Sequence, residues 1–306
     1  MMDVKDLEDG KNLDGDNEDI LDLKPPDDFD MLKFVRGRRF FQSHIFSCSI
    51  AMLWSLLCGM CVPELLQALV FTGESDSPKK AFKRYLKTFY HVASWHYGDV
   101  WQNGSTSQKS IIDVRSMHRN VRRQMEKKLP SSSQKALSQY HMGMVQSAFM
   151  AAIITYPEKM GVRCTTSDLD DYAYFWYGIG HLLGIKRHNN ICAHGFPQTL
   201  RFCEQIEDRI VNVHLTNPPQ QYLKMANAVV IAFQLGKGAF RIIPLSLPLV
   251  FKMCFEQYNF LPLAFGDYIR YIIWKLIFFM IKHCSWFKNY LNYRLEKAFK
   301  LNFNEM

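Results

Sequence analysis

The chain has 306 residues, 48% of them apolar and 14% aromatic, enough for one large core or two small ones. Its net charge of +8 is unevenly spread: residues 1–30 carry 12 Asp and Glu against 3 Lys, a net of −9, and the remainder carries 34 Lys and Arg against 17 acids, a net of +17. A basic body admits nucleic acid, anionic lipid or an anionic cofactor as partner, but neither zinc-finger spacing nor a lysine-rich block is present, which argues against nucleic acid.

Residues 1–30 lack apolar periodicity and carry Pro25-Pro26, so a disordered acidic head is expected there. The N-terminus is acidic where a secretory signal is basic and then apolar. The eight cysteines are therefore expected as free thiols in a reducing, intracellular compartment. Asp30 to Gln42 reads as a helix leading into a domain. Ile45 to Val62 is uncharged and of a length that can span a bilayer. Ser47, Ser49 and Ser55 dilute it, so a buried helix is expected, with a span as the alternative. Cys58 and Cys61 form C-x-x-C with no second pair to complete a zinc site, and they read as buried core thiols. Glu64 to Thr72 restarts an apolar helix, with Gly73 as its stop.

Ser77-Pro78 opens the next helix, Lys79 to about Trp95. Arg84, Lys87 and Thr88 share one face of it at spacings of three and four, over Phe82, Tyr85, Phe89 and Tyr90. The structural reading is a basic face snorkelling over an aromatic core. A polar loop, Tyr97 to Ser107, leads to Val114–Arg123, V-R-S-M-H-R-N-V-R-R. Arg115, His118 and Arg122 there share a helical face. One imidazole between two permanent cations suits a site holding an anionic cofactor beside a ligating nitrogen; a basic surface helix with a solvated histidine fits the same spacing. His141 and His181 are alternative ligands or ordinary core and surface histidines. His91 and His96 lie five apart, poor geometry for a shared metal, and the absence of E-x-x-H pairs disfavours a di-iron carboxylate centre.

Pro130 to Ser133 reads as a linker, Arg187 to Gly195 as a polar loop turning at Asn189-Asn190, Phe196 to Val213 as a helix, and Met225 to Leu235 as a short apolar helix. Gly236 to Leu249, with Pro244 and Pro248, reads as a broken segment. Tyr268 to Phe287 contains Arg270 and Lys275, and its apolar stretch is too short and too charged for a span; its aromatics with interspersed cations fit an interfacial helix, or one docked on the domain's own core. The tail from Lys288 is basic and amphipathic and suits anionic lipid.

R-x-x-K-T at Arg84, Lys87 and Thr88, followed by R-x-x-H-x-x-x-R at Arg115, His118 and Arg122, resembles the rubber oxygenase (latex-clearing protein) family, which shares its catalytic domain with the endoplasmic-reticulum-bound oxygenases of the MpaB type. The likeness extends to Leu137–Phe149 and to the helix carrying Trp176, Gly180, Leu183, Gly184 and Ile185, and covers roughly residues 35–235. It implies an all-α protein with one b-type haem. It implies His118 as proximal iron ligand, Arg84 and Thr88 as pocket residues, and Lys87 on the open face of the haem. Arg115 and Arg122 would flank the ligand near the propionates or a helix partner. The family's upstream glutamate has no well-spaced counterpart, Glu64 being the nearest.

The expectation is thus all-α: an acidic head at 1–30, a haem-binding helical oxygenase domain at 31–236, and an apolar to amphipathic helical region at 237–306. The implied function is oxidation or cleavage, by dioxygen, of an alkene in a lipophilic substrate, with isoprenoids as a candidate class. A membrane surface is a candidate partner, and the cytoplasm or an internal membrane such as the endoplasmic reticulum the expected location. The competing reading is a non-catalytic, membrane-associated helical protein that retains the haem-binding fold.

Overall fold

The computed structural model describes residues 2–16, 23–128, 135–235, 244–255 and 261–300. Those residues hold thirteen α-helices and no strand. They are α1 (Met31–Ser43), α2 (Ile45–Gly59), α3 (Pro63–Thr72), α4 (Pro78–Tyr97), α5 (Thr106–Lys128), α6 (Gln139–Thr155), α7 (Thr166–Leu182), α8 (Phe196–Ile206), α9 (Asn212–Thr216), α10 (Gln220–Leu235), α11 (Leu247–Cys254), α12 (Phe265–His283) and α13 (Ser285–Phe299).

Local chemistry sets the ends. The Asp30 side chain accepts the Lys33 amide and starts α1. Gly73, at φ 64°, stops α3 in the left-handed conformation that glycine adopts without strain. Pro78 sits in the first turn of α4, where its missing N–H costs nothing. Ser138 caps α6 and Thr165 caps α7, each in a capping box. One π-helical turn, Glu207–Val211, joins α8 to α9, so the helix expected over 196–213 is a nearly continuous rod with a bulge.

The core is built on α2, α6 and α7. The serines of α2 do not bring it to the surface; Trp54, Leu57 and Ile45 are among its fully buried side chains. No single described helix is long and apolar enough to cross a membrane; α1 and α2 pass that test only as a pair bent by 89°. Asn292 of α13 bridges this bend, accepting the Phe46 amide at 3.1 Å and donating to the Ser43 carbonyl at 2.9 Å. α1 lies along α7, where Arg36 forks onto Asp171 at 2.6 and 2.9 Å. Gly37 lets these helices approach, since a Cβ there would stand 2.0 Å from the Asp171 carbonyl oxygen.

The motif over Trp176–Ile185 is architectural. Trp176 is buried, and its carbonyl accepts from Gln146 of α6 at 2.7 Å. A Cβ at Gly180 would collide with Gln146 and Asn190 at 2.6 Å. Gly184, at φ 86°, ends the helix, and the Ile185 amide bonds back to Gly180 at 2.9 Å.

Three expectations need correction. Residues 2–16 of the acidic head are packed rather than disordered: Val4–Asn12 forms a 3₁₀ helix capped by Asp3, and Val4 and Leu7 are buried. Three of its polar anchors lie far away in sequence: Gln205 accepts the Val4 amide at 2.8 Å, Arg209 grips Asp3, and Asp16 reaches α5. Dense acid content masked two apolar residues in register. Leu247–Cys254, which overlaps the end of the segment read as broken over 236–249, forms α11, because Pro248 falls in its first turn. The apolar stretch expected over 268–287 begins earlier and breaks at Cys284, giving α12 and α13. Residues 130–133 and 236–243 lie outside the described residues.

All eight cysteines are free. Cys58 and Cys61 are buried, and burial pushes the Cys61 thiol up to about 12, so the pair holds unreactive thiols.

Candidate active site at the α4–α5 seam

α4 and α5 run antiparallel and are stitched by short side chains. Ser94 and Ser107 hydroxyls lie 3.2 Å apart, His91 Nδ1 meets Ser110 Oγ at 2.7 Å, and Trp95 Nε1 donates to the same Ser110 Oγ at 3.0 Å. Asp99 accepts the Trp101 and Gln102 amides and shapes the connecting turn. Continued along the seam, this register sets Arg84 at the level of His118.

His118 is half-buried. Its Nδ1 is enclosed and lacks a hydrogen-bond partner, and no described residue bonds either ring nitrogen. Burial first, then the nearby cations Arg84 and Arg122, pushes its pKa down to about 4. The ring is thus neutral near pH 7, the form a metal requires of an imidazole.

The remaining candidates take up different positions. Arg84 Nη1 donates to Thr72 Oγ1 of α3 at 3.0 Å, which fixes the guanidinium beside the seam. Thr88 Oγ1 donates back to the Arg84 carbonyl at 3.2 Å. Lys87 is exposed on the solvent side of the same face. Arg122 is buried against the Gly15 backbone, where a Cβ would stand 3.2 Å from its Nη1; no acceptor for it occurs among the described residues. Arg115 is also buried but holds Asp16, its Nε donating at 2.6 Å, and Arg119 Nε donates to the other carboxylate oxygen at 3.0 Å. Burial alone would raise the Asp16 carboxyl; the two arginines outweigh it and hold it below its ordinary value. No motif marks Asp16, because nothing in its sequence neighbourhood distinguishes it from the other acids of the head.

The other histidines are committed elsewhere. His141 Nδ1 accepts the Ser138 amide at 3.1 Å as part of the α6 cap, and His181 Nε2 contacts the Lys24 carbonyl at 3.1 Å. His96 is stacked between Phe41 and Phe175, with centroids at 3.7 and 4.0 Å, and burial pushes its pKa down to about 3. Glu64 lines a polar cavity with Lys11, Tyr140, His141, Arg209 and His214. A second, apolar cavity is walled by Trp54, Met144, Ala148, Met160 and Phe255, with Glu207 at its polar end. Burial pushes Glu207 up to about 7 although the Tyr156 hydroxyl donates to it at 2.9 Å. Neither cavity is lined by Arg84, Lys87, Thr88 or His118.

The described residues are all-helical, and at the α4–α5 seam they bring a neutral imidazole with an unpartnered Nδ1 close to the cations Arg84 and Arg122. The enclosed imidazole nitrogen of His118 and the buried guanidinium of Arg122 are donors of the kind a haem would call on, while Arg115 pairs with Asp16. The model of the catalytic domain of the ER-bound oxygenase mpaB/B′ and rubber oxygenase family matches residues 40–253, and the chain belongs to that family. Membership of an oxygenase family suggests an oxidoreductase. No curated protein and no solved structure matches the chain.

Proposed function

We propose that the chain is a haem-b oxygenase that uses dioxygen to cleave or oxidise an alkene in a lipophilic substrate, isoprenoids being the leading class. The observation that carries the reading is His118: a neutral imidazole, its Nδ1 enclosed without a partner, at the level of Arg84 across the α4–α5 seam. Haem b, when bound, supplies the activation of dioxygen. The chain's own residues do the rest. His118 anchors the cofactor, and Arg122 offers a buried cation to a propionate. Arg84, steadied by Thr72, directs a guanidinium to the seam, and Thr88 keeps the turn between them regular. Lys87 supplies an ammonium donor at the exposed side, able to orient or polarise dioxygen.

The family's description as ER-bound supports an internal-membrane location, and the proposed lipophilic substrate suits one. The alternative, a non-catalytic protein that keeps the haem-binding fold, draws on Asp16, whose carboxylate takes the Arg115 guanidinium that the resemblance assigns near a propionate or a helix partner.

The test is product analysis. Haem-loaded protein incubated with isoprenoid alkenes under isotopically labelled dioxygen should yield carbonyl products bearing the label, and His118→Ala should yield none. A haem-loaded chain that binds such alkenes yet forms no labelled product would support the non-catalytic alternative.

A further inference from the structure

The family match ends at residue 253, and the two helices beyond it carry an unusual surface. α12 is apolar on both sides. Trp274, Phe278 and Ile281 face the core, Trp274 and Phe278 packing on Trp54 of α2 at 5.7 and 5.6 Å. The opposite side exposes Phe265, Ile269, Ile272, Leu276 and Phe279 at spacings of three, four and seven, a single stripe; Phe265 is 82% and Ile272 64% exposed. On α13 the exposed face changes character to Trp286, Tyr290 and Tyr293, with Trp286 69% exposed. Beside them lie exposed Lys275, Arg294 and Lys297.

A soluble surface seldom presents a contiguous row of Ile, Leu and Phe along a whole helix. Charge identifies what covers it. No exposed residue of α12 or α13 is a carboxylate: Asp267 is buried, bonded to Ser246 at 2.7 Å and Arg270 at 2.8 Å, and Glu296 accepts the Tyr97 hydroxyl at 2.7 Å. The face is therefore apolar along one helix and aromatic with cations along the next. Aliphatic side chains suit the acyl boundary of a bilayer, Trp and Tyr the headgroup level, and Lys and Arg anionic phosphate.

We propose that α12 and α13 dock flat on an anionic bilayer surface, the Phe265–Phe279 stripe entering the acyl boundary while Lys275, Arg294 and Lys297 contact lipid phosphates. This deepens the internal-membrane part of the reading above, and it stands on the surface of these two helices, not on haem chemistry. A protein anchored here keeps α12 on α2, so the docked face and the core share one rigid helix.

The experiment is flotation of the full-length chain with vesicles of phosphatidylcholine, with and without phosphatidylserine, over a salt series. The wild type should float with the mixed vesicles and be released by salt. Ile272→Glu with Leu276→Glu should weaken partitioning by about tenfold or more, from two lost aliphatic insertions. Lys275→Glu with Lys297→Glu should selectively lose the preference for phosphatidylserine. Both pairs alter exposed side chains, so circular dichroism and haem content should be unchanged, which separates failure of docking from failure of the oxygenase reading. The proposal is overturned if the Ile272/Leu276 variant floats like the wild type, or if the wild type ignores vesicles. A vesicle-free dimer that the same variant turns into a monomer would overturn it too, assigning the face to a second copy.

Discussion

Asp16 and Arg115 meet 99 residues apart in sequence, the guanidinium Nε donating to the carboxylate at 2.6 Å with both side chains more than nine-tenths buried. This pair, extended by Arg119, fastens the N-terminal arm to the helix that carries His118. Deleting one partner of a buried pair leaves an uncompensated charge. Asp16→Ala is therefore expected to cost about 3 kcal/mol in a denaturant titration, several times the effect of an exposed acid such as Asp9→Ala.

The same carboxylate gives a pH signature. Its folded pKa lies below the ordinary 3.8, so its contribution is fully present above that value and is lost as pH falls through the folded value. His96 acts in the same direction: with a folded pKa of about 3 against an ordinary 6.5, its charging in the unfolded chain erodes stability as pH drops between those values. The stability of the wild type relative to His96→Phe, read as a difference in melting temperature, should fall progressively as pH drops from 6.5 to about 3.

Glu207 predicts the opposite trend. Its folded pKa of about 7 exceeds the ordinary 4.5, so the folded chain holds a proton that the unfolded chain has released between these values. That contribution is present below 4.5 and lost as pH rises through about 7. Glu207→Gln should gain stability relative to wild type between pH 5 and pH 8 in thermal melts. An equal difference at both pH values would show that the carboxyl titrates normally.

Much of the helical frame is legible in the sequence, because prolines, caps and glycine stops act locally. Pro78, Gly73 and Asp30 mark ends that fall within a residue or two of the observed ones. The motif residues are legible for a related reason: spacings of three and four put Arg115, His118 and Arg122 on the inward side of α5. What escaped is long-range. That Arg115 answers to Asp16, that residues 2–16 pack on α6 and α8, and that α12 keeps an apolar side outward depend on which surfaces meet, and periodicity carries no record of that. Gly180 and Gly184 stand in the sequence as motif letters, but their contacts, like those of Gly37, are not written there.

Gly37 shows the consequence. Its replacement by Ala drives a Cβ into the Asp171 backbone at 2.0 Å, so α1 must lift from α7. A loss of about 2–3 kcal/mol in chemical denaturation is expected, with weakening of the Arg36–Asp171 fork. Gly59→Ala, with open space around the position, is the control and should be neutral or slightly stabilising.

Lys87 separates chemistry from stability. It is exposed and bonded to no described residue, so Lys87→Ala should leave the melting temperature unchanged and haem content intact. Product formation should drop by about a hundredfold, the scale of losing one well-placed donor. Unchanged turnover would remove Lys87 from the reaction.

The central claim is that His118 holds a haem, and the most direct measurement is the absorption spectrum of the purified chain with a pyridine haemochrome assay, wild type beside His118→Ala. The account predicts a Soret band and about one b-type haem per chain for the wild type. It predicts loss of the haem in a variant whose circular dichroism remains helical. A chain that stays colourless when expressed with haem precursor, or a His118→Ala variant that retains full haem, would contradict it.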